Sequence, residues 1–274
     1  MSTDFLAQIV KQKGREISQA RKVIAEGRLM ELARARSDFR PFFETLSRPG
    51  AAGVNIIAEI KRASPSKGDI RPDLDAPKTA ARYEQGGAAA VSVLTDATYF
   101  KGSLDDLKAA RCACRLPVLQ KEFIISRYQV YAAATVGADA ILLIARILTA
   151  EKLNQLYDLC RDLGMDALVE IHTVQDARIV AACGARLVGI NNRNLTTFET
   201  DLSIARDLAS RLAPGQVPVA ASGISGPTDI RENLACGIFN FLVGESLVRA
   251  DDPTQLIREL TGAASDAPLF DQRM

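Results

Sequence analysis

Eight short apolar runs, spaced between residues 55 and 243, constrain this chain more than any other feature. They cover residues 55–60, 89–94, 117–120, 140–144, 167–171, 187–190, 217–220 and 239–243. Each is rich in Val, Ile and Leu, the composition of strands buried on both faces. Between them lie longer polar segments with helical spacing. In 151–163, for example, Leu153, Leu156, Leu159 and Leu163 fall on one side. Gly-containing turns precede several runs, at Gly86-Gly87, Gly137, Gly184 and Gly237. A glycine after a helix takes the left-handed cap conformation, and the next strand can follow at once. Strand, helix and glycine turn, repeated eight times, predict a closed parallel (β/α)8 barrel. A doubly wound open sheet is the alternative. It usually has fewer units and a glycine-rich fingerprint after its first strand, and no GxGxxG or Walker sequence is present.

The first fifty residues read differently. Phe5, Leu6, Ile9 and Val10 recur at helical spacing, and Pro41 and Arg48-Pro49-Gly50 punctuate the end. The expected organisation is an N-terminal helical extension over 1–50, a barrel over 51–265 and a tail over 266–274. A chain of 274 residues suits this, since single barrels run to about 250 residues.

Charge and cysteine usage exclude several function classes. Lys and Arg number 34 against 33 Asp and Glu, so nothing favours nucleic acid as a bulk partner. Five scattered cysteines do not form a disulfide framework, and a lone histidine argues against zinc. No signal sequence stands at the N-terminus, and no run reaches the roughly 18 apolar residues of a membrane span. The expectation is a cytoplasmic enzyme, monomeric or weakly homo-oligomeric, acting on a small molecule and without a zinc site.

Polar residues at the C-terminal ends of barrel strands are the candidates for chemistry. Run one leads into Glu59-Ile60-Lys61-Arg62-Ala63-Ser64-Pro65-Ser66-Lys67-Gly68, and alternation puts Glu59 and Lys61 on one face. Run three ends in Lys121-Glu122-Phe123. Run five ends in Glu170-Ile171-His172, with His172 on the face of Glu170. Run six ends in Asn191-Asn192-Arg193. Small residues after runs seven and eight, Ser222-Gly223 and Gly244-Glu245, expose backbone N–H groups suited to a phosphate. Three rim cations (Lys61, Lys121, Arg193) suit a phosphate and a carboxylate together.

These motifs, in order, resemble the indole-3-glycerol phosphate synthase family. The likeness runs through Glu59 to Gly68, Ser92-Val93-Leu94-Thr95-Asp96, Tyr99 to Ser103, Lys121 to Ile124, Leu168 to His172, Gly189 to Leu195 and Ser222-Gly223-Ile224. The resemblance implies a (β/α)8 TIM barrel with an N-terminal helical extension. It implies ring closure, with loss of carbon dioxide and water, of 1-(2-carboxyphenylamino)-1-deoxyribulose 5-phosphate. It implies a lyase of tryptophan biosynthesis that needs no cofactor. By the same likeness Lys121 is the general acid and Glu170 the general base of dehydration. Glu59 and Lys61 orient them, and Asn191 and Arg193 hold the anthranilate part. Ser64, Ser222, Gly223, Gly244 and Glu245 fall at phosphate positions. Phe100, Phe123, Leu142 and Leu195 wall the aromatic ring. Three positions depart from the pattern that the resemblance implies: Glu122 replaces the usual Asp, Ala221 replaces a usual Glu, and Glu245 stands where Ser or Ala often follows the glycine of run eight.

Two other functions compete. Phosphoribosylanthranilate isomerase would be expected to carry a Cys near the end of run one, where Glu59 and Lys61 stand. A non-catalytic or altered-specificity phosphate-binding barrel is favoured only by Ala221.

Overall fold

The computed structural model of the chain describes residues 5–194 and 197–263. Eight parallel strands close into one barrel: β1 (Asn55–Ile60), β2 (Ala90–Leu94), β3 (Val118–Lys121), β4 (Ala140–Ile144), β5 (Asp166–Ile171), β6 (Leu187–Asn191), β7 (Val217–Ala221) and β8 (Asn240–Val243). Each lies within one residue of a predicted apolar run at both ends. The ring closes between β1 and β8, with Ile57 opposite Leu242. The loop after β1 folds back as a small hairpin, Ala63–Ser64 against Gly68–Asp69.

Helices follow the strands in order. They are α4 (Ala76–Gly86), α5 (Ala97–Phe100), α6 (Leu104–Ala113), α7 (Arg127–Val136), α8 (Ala150–Leu163), α9 (Val174–Ala182), α10 (Ser203–Ala209), α11 (Pro227–Leu234), α12 (Glu245–Arg249) and α13 (Pro253–Gly262). Their starts are written in the sequence. The side chains of Asp75, Ser103, Thr149 and Asp252 each accept a first-turn N–H, satisfying donors the helix cannot pair itself. Among the described residues, no helix is long and apolar enough to cross a membrane.

Alternation along each strand builds two apolar layers. Ile57, Leu119, Leu142, Leu168, Leu187, Val219 and Leu242 fill the barrel. Ile56, Val91, Ile141, Val169, Val188 and Phe241 face outward and pack with helix residues such as Tyr83, Leu107 and Leu156.

The N-terminal helices α1 (Phe5–Val23), α2 (Glu26–Ala35) and α3 (Phe42–Leu46) run from one end of the barrel to the other. At the end where strands begin, Phe42 and Leu46 of α3 are fully buried and join the interior cluster. The Phe43 N–H donates to Asp166 at the start of β5, at 2.9 Å. Beside the barrel, α2 packs on α7, and Arg36 pairs with buried Asp139 at 2.7 Å. At the far end α1 reaches the loops after β2 and β3. There the Lys13 ammonium lies 2.6 Å from Asp96 and 3.1 Å from Glu122.

Candidate active site

A cavity of about 360 Å³ opens at the C-terminal ends of the strands. The sequence placed Glu59, Lys61, Ser64, Phe100, Lys121, Phe123, Asn191, Arg193, Ser222, Gly223, Gly244 and Glu245 at a site, and all of them line this cavity. Glu170 and Leu142 do not. Leu142 pairs in register with Leu168, while the next inward residue of β4, Ile144, is level with Glu170. It therefore lies one layer deeper, in the packed interior. Leu195 lies outside the described residues.

A charged triad organises the cavity. Glu59 accepts from Lys61 at 2.9 Å and lies 3.6 Å from Lys121. Burial alone would push the Glu59 carboxyl up. The Lys61 and Lys121 charges overcome this and hold it below the usual carboxylate range. Lys121 shows the reverse balance: burial pulls it down, and the Glu59 and Glu170 charges carry it above the ordinary lysine value. Glu59 keeps its place because Gly244 has no side chain. A Cβ there would collide with the Glu59 carboxylate and press on its stem.

On the opposite wall, the Asn191 side-chain oxygen accepts from the Arg193 N–H at 3.0 Å. The Arg193 guanidinium donates to Ser66 at 3.0 Å, tying the hairpin loop to β6. Phe100 and Phe123 set their rings 6.2 Å apart at a 40° tilt, an aromatic wall beside Lys121. Glu170, buried on β5, has His172 Nε2 at 3.7 Å.

At the other end of the cavity, Ser222 has φ 68 and Gly223 φ 84. A serine in left-handed backbone is strained, and such strain collects at functional sites. The Ser246 hydroxyl donates to the Ile224 carbonyl at 2.9 Å and joins the loops after β7 and β8. The Glu245 carboxylate turns to Arg249, 3.1 Å away.

Several lining residues were not singled out from sequence. Phe5, Leu6 and Ile9 of α1 form part of the wall, as do Phe198 and Arg249. In the sequence the α1 residues read only as an apolar helical face. What that face covers depends on Lys13. Burial pulls this ammonium down, but the Glu122 charge and bonds to Asp96 and Glu16 raise it above its ordinary value. Glu122 also accepts from the Thr95 hydroxyl at 2.9 Å. It is an anchor for α1, facing away from the cavity that its neighbour Lys121 lines.

A family model for indole-3-glycerol phosphate synthase matches residues 6–260. A protein of that name from Desulfosudis oleivorans is 56% identical over 258 residues, covering 94% of this chain and 98% of the relative. One from Syntrophobacter fumaroxidans is 48% identical over 261 residues, covering 95% and 98%. Among solved structures, 3-hexulose-6-phosphate synthase from Salmonella typhimurium superposes with a TM-score of 0.61 at 12% identity, covering 77% of this chain and 98% of that one. Thiamine phosphate pyrophosphorylase from Pyrococcus furiosus gives 0.58 at 15% identity, covering 78% and 96%. These two likenesses speak for the barrel fold alone. The matched family model and the relatives, spanning almost the full chain, place this protein in the indole-3-glycerol phosphate synthase family.

Proposed function

We propose that the chain closes the indole ring of 1-(2-carboxyphenylamino)-1-deoxyribulose 5-phosphate, releasing carbon dioxide and water to give indole-3-glycerol phosphate. The observation that carries this reading is the Lys121 ammonium. It lines the cavity 3.6 Å from Glu59, beside the Phe100 and Phe123 rings.

The carboxylate-bearing ring carbon attacks the ketone carbon. Lys121, held charged by Glu59 and Glu170, gives a proton to the ketone oxygen as it becomes a hydroxyl. Carbon dioxide leaves, and its bonding pair restores the aromatic ring. Lys121, recharged from solvent, then gives a second proton to the hydroxyl, which departs as water, while Glu170 takes the proton from the carbon beside the ring nitrogen and that C–H pair becomes the new double bond. Lys61 and Glu59 orient Lys121. Asn191 and Arg193 hold the anthranilate carboxylate. Phe100 and Phe123 flank its ring, with Leu142 as packing behind them. The backbone N–H groups around Ser222, Gly223, Gly244 and Glu245, with the Ser64 hydroxyl, take the phosphate.

The test is to incubate the protein with this substrate and follow indole fluorescence beside Lys121→Ala. Product that falls about 10²–10⁴-fold in the variant supports the reading, the range for a lost general acid. No product from folded protein that still binds substrate would overturn it in favour of a barrel that binds phosphate without turnover.

A further inference from the structure

His172 is the only histidine in the chain. Its side chain is 5% exposed, and neither ring nitrogen has a hydrogen-bond partner. Buried polar groups are nearly always paired, so an orphaned imidazole at the mouth of a barrel calls for a reason. Two constraints place it. Strand alternation carries it to the face of Glu170. Its backbone N–H donates to Asp176 at 2.9 Å, within the capping box by which Thr173 and Asp176 start α9. The root of the ring is thereby tied to both strand and helix.

The ring faces one group that can use it. Nε2 stands 3.7 Å from Glu170 Oε1. Among the described residues, no other cation comes within ion-pair distance of Glu170; Lys121 acts on it from farther away. At 3.7 Å the contact is not yet a hydrogen bond. Catalytic hydrogen bonds are often long in an empty site and tighten when substrate packs it.

We propose that His172 is the positioning residue of Glu170. Its Nε2–H engages Oε1 and fixes the plane of the carboxylate, leaving Oε2 to take the proton from substrate. The terminal torsion of a Glu side chain is broad, so one donor on one oxygen is enough to choose its orientation. An imidazole N–H does this as a single directed donor, without the fixed positive charge that a lysine would bring beside Glu170. The ring gives up no proton in this role. The inference rests on Glu170 being the base of the dehydration step.

The lone histidine makes the test direct, because its ring nitrogen signals in ¹⁵N NMR need no assignment. The expected spectrum shows the Nε2–H tautomer, with an Nε2 signal that moves in Glu170→Gln. In kinetics, His172→Leu lowers kcat about 10–100-fold, the range for lost partners that orient a functional group, with KM little changed. His172→Gln recovers most of it, because its amide nitrogen can reach the place of Nε2. A merely structural histidine would not show this split or this rescue. An Nδ1–H tautomer insensitive to Glu170→Gln would overturn the proposal, as would full kcat in His172→Leu while Glu170→Gln is inactive. Full activity in Glu170→Gln would remove the base assignment, and the proposal with it. Should His172→Leu fail to fold, the wild-type and Glu170→Gln spectra still decide.

Discussion

Lys121 Nζ stands 3.6 Å from Glu59 Oε2, and that single carboxylate serves two lysines. The arrangement sets the pH behaviour of the site. Glu59 raises the Lys121 ammonium against the pull of burial, so Glu59→Gln must lower it. If Lys121 acts as an acid, the alkaline limb of the kcat/KM profile moves to lower pH in Glu59→Gln. A limb that stays in place would show that Lys121 does not govern it. Stability follows the same pair with opposite signs. The folded Glu59 carboxyl is depressed, so its contribution is present above the unfolded value near pH 4.3 and disappears as pH falls through the folded value. The folded Lys121 ammonium is raised, so its contribution is present below about pH 10.4 and disappears as pH rises through the folded value. Melting temperatures of wild type and Glu59→Gln should therefore differ at neutral pH and converge in acid.

Gly244→Ala attacks the same carboxylate from β8. The added Cβ has no room beside Glu59, whose own Cβ would be 3.2 Å away. Glu59 is the part that can move, and moving it separates it from Lys121. Displacements of about 1 Å near a reacting centre can cost about 10²-fold, and a kcat loss of that order is expected. Steady-state kinetics, with circular dichroism to check folding, measure it. Wild-type kcat in a folded variant would show that the position of Glu59 is unimportant.

The barrel was legible because parallel strands buried on both faces must be apolar runs, and nothing else in the chain imitates eight of them. Period-two alternation gives the shared face of Glu59 and Lys61, while Asn191 and Arg193 come from the family resemblance; all four line the cavity. Leu142 comes to the wall by the family resemblance alone, which carries a position and not a depth, and in the structure it lies in the interior. The extension was read as helical from its own spacing. Its attachments were not readable, since Lys13 meets Asp96 and Glu122, Arg36 meets Asp139, and Phe42 enters the barrel floor, only through contacts distant in sequence. The left-handed backbone at Ser222 left no local signal either, since serine seldom adopts it.

Lys13 carries the next prediction. Its side chain is 4% exposed and lies among Glu16, Asp96 and Glu122. Lys13→Met leaves the buried carboxylates of Asp96 and Glu122 without their cation. Breaking a buried pair in this way costs about 3–5 kcal/mol, and urea denaturation should show a loss of that size. Adding Glu122→Gln removes one stranded charge, so the double variant should lose less than the sum of the two singles. Strict additivity would mean that Lys13 and Glu122 do not interact. KM should rise in Lys13→Met as well, because α1 supplies Phe5, Leu6 and Ile9 to the cavity wall.

Ala221 stands where the family resemblance implies a glutamate. It lies in register between Asn191 and Leu242, faces the cavity and is 4% exposed. Ala221→Glu would add a carboxylate to a space lined by Lys61, Lys121 and Arg193. The cavity, at about 360 Å³, has room for the side chain, and three cations can offset its burial. A new negative charge facing Lys121 stabilises the ammonium, so the alkaline limb of kcat/KM should move to higher pH, the reverse of Glu59→Gln. The variant should fold with a melting temperature close to wild type, because the added charge meets cations and not apolar packing. A limb that moves down, or a sharp loss of stability, would show that position 221 turns a longer side chain toward the interior cluster around Leu242. Alanine would then be the residue that this barrel's packing requires.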